Sequence, residues 1–128
     1  MATTLLTAFT DTTPATQSTG VNFLSGSYAA DDTDNHDFIV GVAGKARTTV
    51  HVRNGSNQTV TVQVYGGQDS ASDVGEATVV AIGGSFTVAA TTNGYETVAD
   101  PFPYYLIRCS SSSTPNGATV TLYVNIVE

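Results

Sequence analysis

The chain is predicted to be all-β, an antiparallel β-sandwich of jelly-roll type with an extended N-terminal arm. Three observations predict it. From Phe38 onward, short runs rich in Val, Ile, Thr and Tyr recur at a spacing of roughly 10–15 residues. The clearest of them alternate apolar and polar side chains with the period of two that a half-buried strand requires. Between the runs stand Gly and Asn-Gly turn signals, and no segment carries apolar residues at a helical period.

Residues 38–42, Phe-Ile-Val-Gly-Val, form a short apolar run interrupted by glycine. Residues 48–53 alternate, with Val50 and Val52 on one face and Thr49, His51 and Arg53 on the other. Asn54-Gly55 then reads as a hairpin turn, since both residues tolerate positive φ. Residues 59–65 alternate again, with Val60, Val62 and Val64 on one face. Gly66-Gly67 opens a polar loop through Gly75. Strands follow at 78–82 and 85–89, with a turn expected at Gly83-Gly84 between them. Asn93-Gly94 marks another turn before a strand at 95–98. Asp100-Pro101-Phe102-Pro103 cannot be a central strand, because proline donates no ladder hydrogen bond. Residues 104–109 resume β structure, and residues 110–117 make a loop closed by Pro115-Asn116-Gly117. The last run, 118–127, places Val120, Leu122, Val124 and Ile126 inward.

The first third reads differently. Residues 1–35 are rich in Thr, and their apolar residues follow no sustained period. They are expected to form an extended arm with one or two short strands, and residues 36–128 the sandwich. Fully stretched, such an arm reaches on the order of 100 Å. Leu5, Leu6, Phe9, Val21, Phe23 and Leu24 are its partner-contact candidates, because spaced apolar residues on an arm need a surface to bury against. A strand added to a neighbour's sheet edge would give them one.

Composition narrows the function. At 128 residues the chain is one domain. Charged residues are only 12%, with 4 Lys plus Arg against 11 Asp plus Glu and a net charge of −7. Ser and Thr make up 32 of the 128 residues. Four cations cannot neutralise many phosphates, so neither nucleic acid nor an anionic membrane surface is an expected partner. No basic n-region marks a secretory signal, and no run reaches the length of a membrane span. The single cysteine, Cys109, excludes an intramolecular disulfide. The two Asn-x-Ser/Thr sequons, at Asn54 and Asn57, are read as turn residues.

Chemistry is sparse. Asp31, Asp32, Asp34 and Asp37 form an acidic cluster whose carboxylates are the metal candidates, Ca²⁺ being the ion that oxygen ligands suit. The cluster lacks the glycine and distal glutamate of an EF-hand loop, and a solvated acidic connection is the expectation. No cofactor is expected. His36, His51 and Cys109 are too few and too widely spaced for a zinc site. A Cys109–His nucleophile pair competes with the commoner role of a lone cysteine as a small core residue. With no Gly-x-Ser-x-Gly elbow and no phosphate-binding glycine loop, the chain is not expected to be an enzyme. Tyr95, Phe102, Tyr104 and Tyr105 cluster, either as a carbohydrate or subunit contact or as core.

From Thr48 to Val127 the chain resembles small β-sandwich proteins of tailed-bacteriophage particles. The hairpin-like TTVHVRNGSNQTVTVQVYGG carries the likeness, together with the segment GGSFTVAATTNGYETVADPFPYYLIRCSSSSTPNGATVTLYVNIVE and the Ser/Thr-rich start. The resemblance implies a capsid decoration (cement) protein. It implies a homotrimer on the virion exterior that binds the major capsid protein and bridges neighbouring subunits. It supplies no catalytic residue. The alternative is a tail, fibre or surface adhesin module that binds carbohydrate.

Overall fold

The computed structural model describes residues 3–5, 21–41, 47–67, 79–99, 102 and 104–127. Ten strands are present among them: β1 (Thr3–Leu5), β2 (Val21–Ala29), β3 (Asn35–Gly41), β4 (Arg47–Asn54), β5 (Val60–Gly67), β6 (Val79–Ala81), β7 (Phe86–Val88), β8 (Asn93–Val98), β9 (Tyr104–Ser110) and β10 (Thr119–Val127). They form two sheets. One is four-stranded, in the order β2-β10-β4-β8; the other runs β1-β3-β9-β5-β6, with β7 also on β5. All pairings are antiparallel except β1 with β3.

The topology has a simple origin. β2 pairs with β10, β3 with β9, β4 with β8, and β5 with β7. The chain is therefore one long hairpin, β2–β5 out and β7–β10 back, rolled so that its pairs fall alternately into the two sheets. That is the jelly-roll arrangement, and the expected antiparallel sandwich is what the chain forms.

Alternation within each strand builds the core. On β4 and β5 the buried positions are every second residue: Thr48, Val50, Val52 and Asn54, then Val60, Val62 and Val64. β10 contributes Val120, Leu122 and Val124, each fully buried. Phe38, Val40, Tyr105, Ile107 and Cys109 supply the facing layer, and Tyr28 and Ala30 close one end. Each buried Val or Leu is worth about 1.5–3 kcal/mol relative to exposure.

Three expected turns differ from the structure. Asn54-Gly55 does not close a hairpin. β4 and β5 lie in different sheets, so residues 54–59 form a corner that carries the chain from one to the other. Gly55 is needed there because a Cβ would stand 2.6 Å from the Thr119 carbonyl oxygen, to which its own N–H donates at 3.1 Å. Gly83-Gly84 is not a hairpin turn either. β6 and β7 lie end to end on the same edge of β5, and residues 82–85 bulge out opposite residues 63–64. Gln63 Nε2 lies within 2.9–3.4 Å of the carbonyls of Val64, Ile82 and Gly83 and supports the bulge. Asn93-Gly94 belongs to β8, opposite Arg53 and Val52. The turn comes earlier, where Thr92 N–H donates to Ala89 O and Thr91 takes φ 60°. Gly94 is kept free of a Cβ by Val88, whose Cγ2 would lie 2.9 Å from it.

The stretch expected as an arm also differs in part. β2 is hydrogen-bonded along its whole length to β10, and Tyr28 and Ala30 are core residues. Residues 21–35 thus belong to the sandwich. Their apolar period is hidden because Gly26 takes the β2 position paired with Leu122, and Ser25 and Ser27 flank it on the outward side. Residues 6–20 lie outside the described residues.

Candidate functional site

The acidic cluster is divided among internal partners. Asp37 on β3 faces Arg108 on β9 across the ladder, and the two make a bidentate pair, Nε–Oδ1 2.8 Å and Nη2–Oδ2 3.0 Å. Asp32 Oδ1 accepts from the Asp34 N–H at 3.1 Å and lies 2.9 Å from His36 Nε2. The His36 hydrogen bond holds the Asp32 carboxyl below the usual range. Two of the four metal candidates are therefore engaged within the fold. Among the described residues no group of three or more His, Cys, Asp or Glu is placed to hold a metal ion.

His36 is buried, stacked on Tyr28 with ring centroids 4.1 Å apart, and in register opposite Cys109. The sequence left a Cys–His nucleophile open, and the ladder does set the two side by side. Cys109 nonetheless is wholly buried, and desolvation pushes its thiol well above the usual value. A thiol that cannot ionise is a small core residue. Burial likewise raises the Tyr28 phenol.

The aromatic group is split by the fold. Tyr105 is 1% exposed and part of the core, so it cannot be a carbohydrate contact. Phe102 is half-buried and packs edge-on against Tyr105, with centroids 6.5 Å apart. Its ring also covers Gly66, whose missing side chain makes the seat. Tyr104 lies on β9 opposite Gly41 and Gly67. Tyr95 alone of the four is shown at the surface, 73% exposed on β8. Of the arm candidates, Leu5 lies in β1 opposite Asp37, while Val21, Phe23 and Leu24 pair with Val127, Asn125 and Val124 of β10. Leu6 and Phe9 lie outside the described residues.

Around Tyr95 the structure assembles a surface that the sequence reading did not join. Tyr95, His51, Tyr123 and Ser25 stand in one cross-strand row over β8, β4, β10 and β2. Asn93, Arg53, Thr121 and Ser27 form the next row. The His51 and Tyr123 rings are 5.5 Å apart and tilted by 49°. His51 Nε2 lies 3.3 Å from Asn93 Oδ1. His51, Arg53, Asn93 and Tyr123 line an open depression of 420 Å³. A second, more enclosed hollow of 240 Å³ continues from Arg53 and Asn93 to Gly55, Thr91 and Thr92. The outward parity of His51, Arg53 and Tyr123 was legible in the sequence. Their adjacency depends on register, which no local pattern encodes.

Charge on this face is unlike that of the whole chain. No Asp or Glu stands at an outward register position of β2, β10, β4 or β8. Two of the chain's four cations, Arg47 and Arg53, stand there exposed on β4. The one carboxylate on these strands, Glu96, occupies an inward position of β8, in register with Val50. Its Oε2 is buried without a hydrogen-bond partner, and desolvation raises its carboxyl above the usual value.

No protein-family model and no curated protein matches the chain's sequence. Solved structures do match its shape. The K3 adhesin domain of Lys-gingipain from Porphyromonas gingivalis aligns at TM-score 0.56 and 12% identity, over 84% of this chain and 74% of that one. A Bacillus endospore appendage, from a family of disulfide-linked pili, aligns at 0.51 and 12%, over 84% and 86%. The periplasmic g-type lysozyme inhibitor PliG of Aeromonas hydrophila aligns at 0.51 and 15%, over 98% of both chains. At these identities the likeness is one of fold: the chain is a two-sheet β-sandwich shared by proteins of unlike activity.

Proposed function

We propose that the protein is a non-catalytic structural module of a bacteriophage particle, a decoration protein that binds the outside of the capsid. It attaches to the major capsid protein as a homo-oligomer, a trimer in the type it resembles, and bridges neighbouring subunits. The observation that carries this reading is β1. Three residues near the start of the chain add a parallel strand to the edge of an otherwise antiparallel sheet. The same backbone pairing lets an N-terminal segment dock on a neighbour's sheet edge, where main-chain hydrogen bonds give affinity. Several such attachments in one oligomer multiply modest contacts through effective concentration. The sandwich fold supports the reading, since jelly rolls build capsid proteins. So does the fold it shares with an endospore appendage and a gingipain adhesin domain.

Two measurements test it. A mass-spectrometric inventory of purified particles should find this chain in hundreds of copies; a few to a dozen would mean a tail or vertex part. Deletion of residues 1–20 should leave a folded sandwich that no longer binds capsids. The cut stops short of Val21 because β2 is part of the four-stranded sheet. Tight capsid binding by the truncated chain would defeat the attachment model.

A further inference from the structure

We propose that the outer face of the four-stranded sheet carries a binding site for a saccharide bearing a carboxylate, centred on Arg53 and flanked by Tyr95, His51, Tyr123 and Asn93. The inference holds whether or not the protein decorates a capsid.

In a chain of net charge −7, no Asp or Glu stands at an outward register position of the four described strands of this face, whereas Arg47 and Arg53 do. Arg108, by contrast, is held by Asp37. Among the described residues Arg53 has no carboxylate within ion-pair distance, so its planar fork of donors faces solvent. That fork matches a carboxylate with two parallel hydrogen bonds, which a point charge cannot do.

The neighbours favour a sugar over other anions. Tyr95 and Tyr123 stand on the strands either side of β4, about 10 Å apart by strand spacing. Tyr95, 73% exposed, offers an apolar ring face to the C–H face of a pyranose and a hydroxyl to its rim, and the half-buried Tyr123, packed against His51, stands on the other side. Asn93 uses its Oδ1 toward His51 and lines the hollow it shares with Thr91 and Thr92. Amide, hydroxyl and carbonyl groups in that hollow suit sugar hydroxyls. Neither depression is closed off, and each is lined by side chains that carry polar groups, which does not suit a buried apolar ligand. Two arginines cannot hold a polyphosphate backbone against a net charge of −7.

The site also has a built edge. Thr91 holds φ 60°, a left-handed conformation that a β-branched residue rarely adopts. It is fixed there by the tight turn, with Thr92 Oγ1 donating to Ala89 O at 2.7 Å and Asn54 N–H donating to Thr92 O at 2.9 Å. The turn therefore presents Thr91 and Thr92 in one fixed position beside Arg53.

The test titrates the full-length, ¹⁵N-labelled protein with the methyl glycosides of glucuronate, galacturonate and N-acetylneuraminate, each beside its neutral carboxamide. At least one acid should give saturable shifts at His51, Arg53, Asn93, Tyr95 and Tyr123, with a Kd of roughly millimolar strength. Arg53→Gln should weaken that binding about tenfold and erase the preference for acid over amide. Tyr95→Ala should weaken it several-fold at unchanged acid preference. Both side chains are exposed, so thermal midpoints should stay at the wild-type value; if Arg53→Gln misfolds, the equally uncharged Arg53→Met serves in its place. The proposal is overturned by the absence of saturable shifts with all three acids, by shifts confined to other faces, or by equal binding of acid and amide. Because no capsid enters the experiment, its failure and that of the decoration reading are separable.

Discussion

Arg108 grips Asp37 through both carboxylate oxygens, at 2.8 and 3.0 Å, straight across the β9–β3 ladder. The Asp37 side chain is 3% exposed and that of Arg108 14%. Removing Asp37 takes its bidentate carboxylate away from a largely buried guanidinium. Asp37→Ala is expected to lower the unfolding free energy by about 3 kcal/mol. Asp37→Leu combined with Arg108→Leu should recover most of that loss. Urea denaturation of both variants checks it. A single variant no less stable than the double one would show that the pair is not coupled.

The corner between sheets rests on Asn54. Its Nδ2 donates to Gln58 O at 2.7 Å and Val88 O at 3.0 Å, and its Oδ1 accepts from Ser56 N–H at 2.9 Å and Ser56 Oγ at 2.7 Å. Asn54 and Ser56 are both buried. Asn54→Ala strands those carbonyls and should cost about 2–3 kcal/mol. Gly55→Ala forces a Cβ against Thr119 O and should cost about 1–3 kcal/mol. Equilibrium unfolding reads both. Wild-type stability for Gly55→Ala would refute the close approach.

Glu96 provides a pH signature. Its carboxyl is raised above the usual 4.5 by burial, so the folded state holds this proton more tightly than the unfolded chain does. Ionisation at neutral pH therefore costs stability, and the cost vanishes as pH falls below the raised value. Glu96→Gln should unfold later than the wild type at pH 7, with the advantage closing near pH 4. Urea midpoints at the two pH values decide it. An advantage that grows on acidification would contradict the assignment.

Two tyrosines ten positions apart should behave in opposite ways. Tyr105→Ala empties a core position and is expected to cost about 3–5 kcal/mol. Tyr95→Ala removes a 73% exposed side chain and should change stability by less than about 0.5 kcal/mol. Thermal unfolding of the pair is enough to check the split.

Cys109 should resist a water-soluble thiol reagent in the native state and react at once in denaturant, because its sulfur is buried and its thiol form favoured. Labelling followed by mass measurement reads this. Rapid native labelling would place Cys109 at the surface.

Strand positions were largely legible in the sequence, and the reasons are local. Val60, Val62, Val64 and Val120, Leu122, Val124 announce their own strands and inner faces without reference to anything else. Sheet membership was not legible. Asn54-Gly55 looks like a hairpin turn, yet the chain turns there into the other sheet, because Thr119 approaches Gly55 and Asn54 is pulled inward by three carbonyls. Gly94 looks like a turn residue and is instead the gap into which Val88 fits. The candidate site suffered from the same blindness. His51, Arg53 and Tyr123 each read as outward, but Tyr123 is more than seventy positions from His51 and meets it only through the β4–β10 register. The acidic run looks like a solvated connection, yet Asp37 is claimed by an arginine seventy-one residues away, a pairing that only the β3–β9 register creates.

β10 lies between β2 and β4, which share no ladder with each other. It is also the last of the ten strands to be synthesised. Until it emerges from the ribosome, β2 has no partner in its sheet and β4 has only β8, so the four-stranded layer cannot close over the core. The nascent chain must wait with its apolar strands uncovered and then fold nearly all at once. A cell making this protein in quantity should depend on holding factors during synthesis, and a nonsense mutation just before Thr119 should yield an aggregate and not a shortened sandwich.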